Sequence, residues 1–275
     1  MRSTATPTAT TTATATAATG TLPSLPSATA ALADLLRAMA DDEFVIGFSD
    51  SEWTGIAPLL EEDVAMSSLA QDELGHAAAL YGLLADLTGT APDALAYDRE
   101  PDAYRHARLL DHGRGDWAMT IARRYLYDSA DAVRLQALTA GSWAPLADLV
   151  GKLIREERYH LMHASVWLDR LARSQGEARD RLLTALARLA PDAATVFTPL
   201  PDERALLEAG ILAAPNTELE THWRTAIAPT FASLGLPMPP PAHDPGRGRL
   251  DHGEPFRWLW SEFTSVRRSD PGAIW

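Results

Sequence analysis

From Ala28 onward, apolar residues recur at intervals of three and four positions, which is the period of an α-helix and not the alternation of a β-strand. Pro58, Gly141 and Gly176 interrupt this pattern and mark helix ends. The sequence therefore predicts an all-α protein. We expect helices at residues 28–48, 58–88, 115–140, 143–173, 177–195, 202–213 and 216–234.

A polar segment, residues 89–115, separates the second long helix from the third. Short loops would join four helices in an up-down-up-down order, whereas a long crossover between two helix pairs is typical of ferritin-like bundles. We therefore predict a ferritin-like four-helix bundle with extra C-terminal helices.

The two ends of the chain differ from this body. Residues 1–27 are almost entirely Thr, Ala, Pro and Ser, without a periodic apolar face, and we expect a disordered tail there. A transit peptide is the alternative, although such peptides are rich in arginine and this stretch has only Arg2. Residues 28–275 form the predicted helical domain, including a C-terminal extension. We expect this C-terminal tail, with its aromatic segment at residues 256–260 and its terminal segment at residues 271–275, to clamp a partner subunit.

Charge and composition exclude several classes of function. The formal net charge of -13 argues against nucleic-acid or anionic-membrane binding, because both require basic surfaces. The chain has no cysteine, so it holds neither a thiol nucleophile nor a Cys-ligated iron–sulfur cluster, and electrons for redox chemistry must come from elsewhere. No apolar run is long enough to span a membrane, so we expect a cytoplasmic protein.

Each of the four long helices places one acid on its apolar stripe, and two of the acids are followed three residues later by a histidine. The two halves are spaced alike, since 30 residues separate the first pair of acids and 29 the second. Buried carboxylates without counter-charges are costly, and two divalent cations would balance four of them. Carboxylates with imidazoles suit iron or manganese. The predicted ligands are Glu43, Glu73, His76, Asp128, Glu157 and His160.

Three points in this site remain open. Asp131 is the alternative to Asp128 as a ligand. Asp72 and Glu156 are expected outside the ligand set, with Asp72 placed to orient an imidazole four residues away, at His76. The competing explanation for the whole pattern is a set of surface acids in salt bridges with ordinary core histidines.

The motifs resemble those of the phenylacetyl-CoA epoxidase family, a bacterial multicomponent di-iron monooxygenase system. The DELGH motif at 72–76 and the WTGIAPL segment at 53–59 are similar to the iron-binding half of its catalytic subunit, PaaA. The segments that resemble its companion subunit, giving a PaaC-like chain, are TIARRY at 120–125, ERYHL at 157–161, WLDRL at 167–171 and PGAIW at 271–275.

This resemblance implies a component of a complex that inserts oxygen into the aromatic ring of phenylacetyl-CoA. The implied partners are a PaaA-like catalytic subunit, other subunits of the complex, and an NADPH-dependent reductase with flavin and an iron–sulfur cluster. Two iron ions are the implied cofactors, with manganese or no metal as alternatives. Glu43, Glu73 and His76 would bind one iron, and Asp128, Glu157 and His160 the other, with Glu73 and Glu157 as bridges. Homo- or hetero-oligomers are expected.

Two other functions remain as alternatives. One is a metal-free structural scaffold, because the metal site of the companion subunit is usually degraded in this family. The other is a stand-alone ferritin-like di-iron oxidase.

Overall fold

The computed structural model describes residues 26–241, 247–270 and 272–273, and within these ranges every regular element is helical. Three short 3₁₀ turns connect the α-helices, at Pro101–Ala103, Arg108–Asp111 and Thr195–Phe197. The α-helices are α1 Pro26–Ser51, α2 Leu60–Thr88, α3 Pro92–Tyr97, α4 Trp117–Leu138, α5 Ala144–Arg173, α6 Glu177–Leu189, α7 Glu203–Glu208, α8 Asn216–Leu234 and α9 Glu254–Ser269.

Helices α1, α2, α4 and α5 form a ferritin-like four-helix bundle, as predicted. The short connection of residues 52–59 makes α1 and α2 an antiparallel pair, and residues 139–143 do the same for α4 and α5. Residues 89–116 form the crossover between the pairs. Buried apolar side chains from all four helices pack in the space between them, around a group of buried charged residues.

The crossover is held against α1 by two buried acids. Asp41 Oδ2 accepts a hydrogen bond from the backbone N–H of Arg105 at 2.6 Å, and Asp42 Oδ1 accepts one from the N–H of Ala107 at 2.7 Å. Both carboxylates also pair with arginines, the partly buried Arg99 for Asp41 and the buried Arg134 for Asp42. The long connection is therefore fixed over one side of the bundle by charge-assisted hydrogen bonds.

The remaining helices cover the bundle. Helices α6 and α8 pack on α4, and α7 and α9 pack on α1. The predicted helices at 177–195 and 202–213 end earlier than expected, at Leu189 and Glu208.

Helix α9 was not predicted as a helix, and its aromatic side chains pack on the chain's own bundle. Phe263 makes ring contacts with Phe44 and Phe48 of α1, and Phe256 stacks edge-on against Tyr104 of the crossover. Trp258 alone among the aromatic residues of segment 256–260 is more than half exposed. The aromatic segment of the expected partner clamp is therefore mostly part of the chain's own core, and the terminal segment, residues 271–275, lies largely outside the described residues.

The predicted disordered tail, residues 1–27, lies almost wholly outside the described residues, and helix α1 begins at Pro26. Its division from the helical domain stays a prediction. Among the described helices, none combines the length and the apolar character needed to cross a membrane.

Candidate metal centre

The bundle brings the six predicted ligands to its interior. Glu43 comes from α1, Glu73 and His76 from α2, Asp128 from α4, and Glu157 and His160 from α5, and all six are buried. On α2 and on α5 the acid and the histidine lie three residues apart, so both side chains point from one face of the helix into the core. The sequence pattern therefore corresponds to a real convergence of side chains.

Four of these residues form a compact group. Glu43, Glu73, His76 and Glu157 each offer one ligand atom, and these four atoms all lie within 4.8 Å of one another. His160 lies beside them, with its Nδ1 3.2 Å from Glu73 Oε1 and 3.3 Å from Glu157 Oε1. Oxygens from three helices and imidazole nitrogens from two thus face a common point.

Several atoms of this group lack hydrogen bonds. Glu43 Oε2, Glu73 Oε2 and both carboxylate oxygens of Glu157 are buried without a hydrogen-bond partner among the described residues. The other oxygens of the first two acids are held from outside, since Tyr127 donates to Glu43 Oε1 at 2.8 Å and Arg124 donates to Glu73 Oε1 at 2.6 Å. Each of the three glutamates therefore keeps at least one carboxylate oxygen that makes no hydrogen bond and is available at the centre of the group.

The two imidazoles have matching orientations. His76 Nε2 lies 2.7 Å from the Glu156 carboxylate, and His160 Nε2 lies 3.3 Å from that of Asp72. A carboxylate accepts hydrogen bonds, so each Nε2 carries the proton and a neutral ring turns the lone pair of Nδ1 toward the buried acids. The expectation that Asp72 orients the imidazole on its own helix is wrong, because the pairing runs across from α2 to α5.

In the absence of a metal, protons must supply the positive charge. Burial lowers the pKa of His76, but the carboxylates of Glu157 and Glu43, 3.1 Å and 3.5 Å from its Nδ1, outweigh burial and raise this pKa to about 12. Burial opposes protonation of His160 as well, yet the charges of Glu73 and Glu157 raise its pKa to about 11. Burial beside the Glu73 carboxylate also raises the pKa of Glu43 well above its usual value. Without a metal, these side chains therefore hold bound protons at neutral pH.

Asp128 stands apart from the four-residue group. Its Oδ1 lies 3.2 Å from a guanidinium nitrogen of Arg124, which is itself completely buried. Asp131, the alternative ligand, pairs with Arg134. Neither aspartate belongs to the compact group, and the sixth predicted ligand stays a prediction.

These observations fit a single bound cation. A divalent ion bound by the free oxygens of Glu43, Glu73 and Glu157 and by Nδ1 of His76 would take the place of the protons that balance these carboxylates in its absence. The oxygen-rich set with imidazole, free of sulfur, suits iron or manganese. The Arg124 guanidinium occupies the place beside Asp128 that a second ion would need. The residues therefore fit one ion better than two.

Sequence reasoning missed Arg124, Arg134 and Tyr127 as parts of this site. A signal for Arg124 was present, because it lies four residues before Asp128 on a helix that is buried almost all round. A charged residue at such a position needs a buried partner.

A second group, His106, Asp111 and His252, also brings ligand atoms within 4.8 Å of one another. Its two imidazoles stack with ring centres 4.0 Å apart and planes 15° apart. A metal lies in the plane of each imidazole that binds it, and two stacked rings cannot both satisfy this condition. His252 Nε2 donates to the carbonyl of Tyr104 at 3.0 Å. The group is a hydrogen-bonded connection between the crossover and the segment before α9.

Comparison with known proteins identifies a protein family that this chain matches. A family model described as "Phenylacetic acid catabolic protein" matches residues 15–275. The chain is 29% identical over 240 residues to the PaaC component of the 1,2-phenylacetyl-CoA epoxidase of Escherichia coli (strain K12), covering 86% of this chain and 96% of that protein. It is 25% identical over 233 residues to the PaaA component of the same epoxidase, covering 82% of this chain and 74% of that protein.

Proposed function

The chain belongs to the phenylacetic acid catabolic protein family, and on this basis we propose that it is a subunit of a phenylacetyl-CoA epoxidase complex. The higher identity and the nearly complete coverage of the PaaC relative favour the companion type over the catalytic type. We propose that the protein acts in phenylacetate catabolism in the cytoplasm. The observation that carries it is the buried carboxylate and histidine group at the centre of a bundle of this family.

We propose that this group binds iron, with manganese as the alternative metal. Glu43, Glu73, His76 and Glu157 are the ligands that the geometry supports best, and His160 completes the set at its side. The alternative is the sequence prediction of two ions with Asp128 as the sixth ligand, and a count of metal ions per chain distinguishes the two. When bound, iron in such a site supplies redox chemistry with dioxygen.

The surrounding residues have separate tasks in this proposal. Glu156 and Asp72 hold the two imidazoles with Nδ1 directed inward, and Tyr127 fixes the orientation of Glu43. Aliphatic side chains of the same four helices are buried together with the group. From the resemblance to the epoxidase family, we propose that electrons arrive from a separate reductase that uses NADPH, flavin and an iron–sulfur cluster, which agrees with the absence of cysteine from this chain.

The outer face of α2 and α5 supports a partner of the same bundle type. Leu60 and Val64 of α2 and Met162 and Val166 of α5 are all more than half exposed. The hydrogen bond of 2.7 Å between His163 and Glu62 holds the two helices together in this region. Exposed apolar residues concentrated on one face are typical of interaction surfaces. We propose that the catalytic subunit docks here, since the chain's relatives include two different components of one complex.

The test is assembly with the catalytic subunit from the same source, measured by co-purification and by analytical ultracentrifugation. Val166→Glu should weaken assembly at least ten-fold, because it buries a charge in an apolar interface. Val266→Glu is the matched control, since Val266 is 60% exposed and Val166 56%, and the control lies on α9. Equal weakening by both variants would place the interface elsewhere.

Two other results would favour the alternatives. A wild-type chain that never assembles with the catalytic subunit would support a stand-alone oxidase. Normal assembly of a chain that binds neither iron nor manganese would support a metal-free scaffold.

A further inference from the structure

We infer that the Arg124 guanidinium replaces the second metal ion, so that each chain binds one divalent cation and not two. The inference rests on the proposed metal binding and specifies its stoichiometry. It assigns Arg124 a role as a fixed positive charge inside the site.

The contacts of Arg124 carry this inference. One guanidinium nitrogen, Nη1, donates to Glu73 Oε1 at 2.6 Å and to Asp50 Oδ2 at 3.1 Å, and the other, Nη2, lies 3.2 Å from Asp128 Oδ1. The side chain is 0% exposed. It therefore touches two of the six predicted ligands at once, in the space where a second ion would have to join them.

A guanidinium in this place excludes a metal ion for two reasons. It carries only N–H donors and stays protonated in proteins, so it cannot become a ligand. It also occupies Glu73 Oε1, which leaves that acid one free oxygen, Oε2, for the compact group. Glu73 thus shares its charge between an arginine and one cation and does not bridge two cations.

Asp128 retains the capacity to bind metal. Its two oxygens are buried without a well-aligned hydrogen bond among the described residues, and Arg124 faces it only as an ion pair. Removing the guanidinium would therefore leave the Asp128 carboxylate free to bind a metal ion beside Glu73 and His160. A loss of positive charge at residue 124 should open a second site, which gives the inference a gain-of-binding test.

Arg123 provides a matched control. It is the neighbouring residue on α4 and is also buried, and it pairs with Ser49 and Asp50 without touching any predicted ligand. Its removal takes one positive charge from the same network but leaves the contact of Arg124 with Glu73 and Asp128 in place.

The experiment loads the full chain with Mn²⁺ after chelator treatment and counts manganese per chain by elemental analysis. Wild type and Arg123→Ala should each bind one ion, and Arg124→Ala should bind two. Circular dichroism checks that each variant keeps its helical content. Arg124→Lys, which retains the charge, should stay at one ion.

Electron paramagnetic resonance of the wild-type chain gives a second measurement that needs no variant. One Mn²⁺ per chain should give the spectrum of an isolated ion, whereas two ions joined by a carboxylate show exchange coupling. Two coupled ions in wild type, or one ion in a folded Arg124→Ala chain, would overturn the inference about Arg124. No bound metal in wild type would overturn it together with the proposed metal binding, while the assembly test above would stand independently.

Discussion

Removal of the metal should make the stability of this protein fall as the pH rises from 7 to 9. In the metal-free chain, the pKa of His76 is about 12 and that of His160 about 11, against an ordinary value of 6.5. A group whose pKa is raised in the folded state stabilises the fold fully below its unfolded pKa, and that stabilisation is lost as the pH climbs toward the folded pKa. The window from 7 to 9 lies between these limits for both imidazoles.

The magnitude follows from proton linkage. One proton bound only in the folded state gives a slope of about 1.4 kcal/mol per pH unit. The side chains of His76 and His160 are only 4% and 0% exposed, so solvent screens them little. Two protons over two pH units correspond to at most about 5.6 kcal/mol, and we expect a smaller loss, of about 2–5 kcal/mol, because neighbouring carboxylates share the charge.

The metal-loaded chain should behave in the opposite way. A metal ion needs the neutral imidazole, so metal binding releases the protons and strengthens with rising pH. The slope should therefore vanish or change sign when Mn²⁺ is present. This difference separates a metal site from a permanent network of ion pairs, which would respond to pH in the same way with and without metal.

The assay is urea unfolding followed by circular dichroism at pH 7, 8 and 9, with chelator or with Mn²⁺. His76→Gln should reduce the slope of the metal-free chain by about 1.4 kcal/mol per pH unit. Thr184→Ala is the control, since Thr184 has no titratable group, lies exposed on α6 outside the metal centre and should leave the slope unchanged. A metal-free chain whose stability is constant or increases between pH 7 and 9 would refute the reasoning.

Two further predictions concern single residues. Glu156→Gln should lower the affinity for Mn²⁺ about 10- to 100-fold in a titration, because Glu156 orients His76. Asp148→Asn, on the exposed side of α5, should leave the affinity unchanged, and equal affinities of the two variants would contradict the role of Glu156. Gly248→Ala should lower the free energy of unfolding by about 1–3 kcal/mol, since the added Cβ would collide with Thr198. Gly151→Ala adds a Cβ in open space on α5 and should leave the protein's stability unchanged, and a Gly248→Ala chain as stable as wild type would show that the segment around residue 248 shifts freely.

Helical periodicity located most of the fold, because the buried stripe of a long helix is a local property of the sequence. Helix α8 was placed with the bounds that the structure has, Asn216–Leu234. Helix α9 was missed, although Phe256, Leu259 and Phe263 have helical spacing. Its partner surface is Phe44 on α1, so nothing near α9 in the sequence indicates that those aromatic residues would be buried.

Spacing along a helix predicted which residues converge, but not which atoms face one another. The i, i+3 pattern was sufficient to place Glu73 with His76 and Glu157 with His160 on inward faces. The pairing of Asp72 with His160 depends on how α2 and α5 lie side by side. A pattern within one helix carries no information about that register.

The same limit explains why charge counting from sequence suggested two metal ions. Four carboxylates on core stripes require four positive charges, and divalent ions are the obvious source when only those stripes are considered. The structure supplies part of that charge from Arg124, on the same helix as Asp128, and from Arg134, whose Nη2 lies 3.5 Å from Glu43 Oε1. A buried arginine balances one negative charge, so the number of ions follows from the carboxylate charge that the guanidinium groups leave unbalanced.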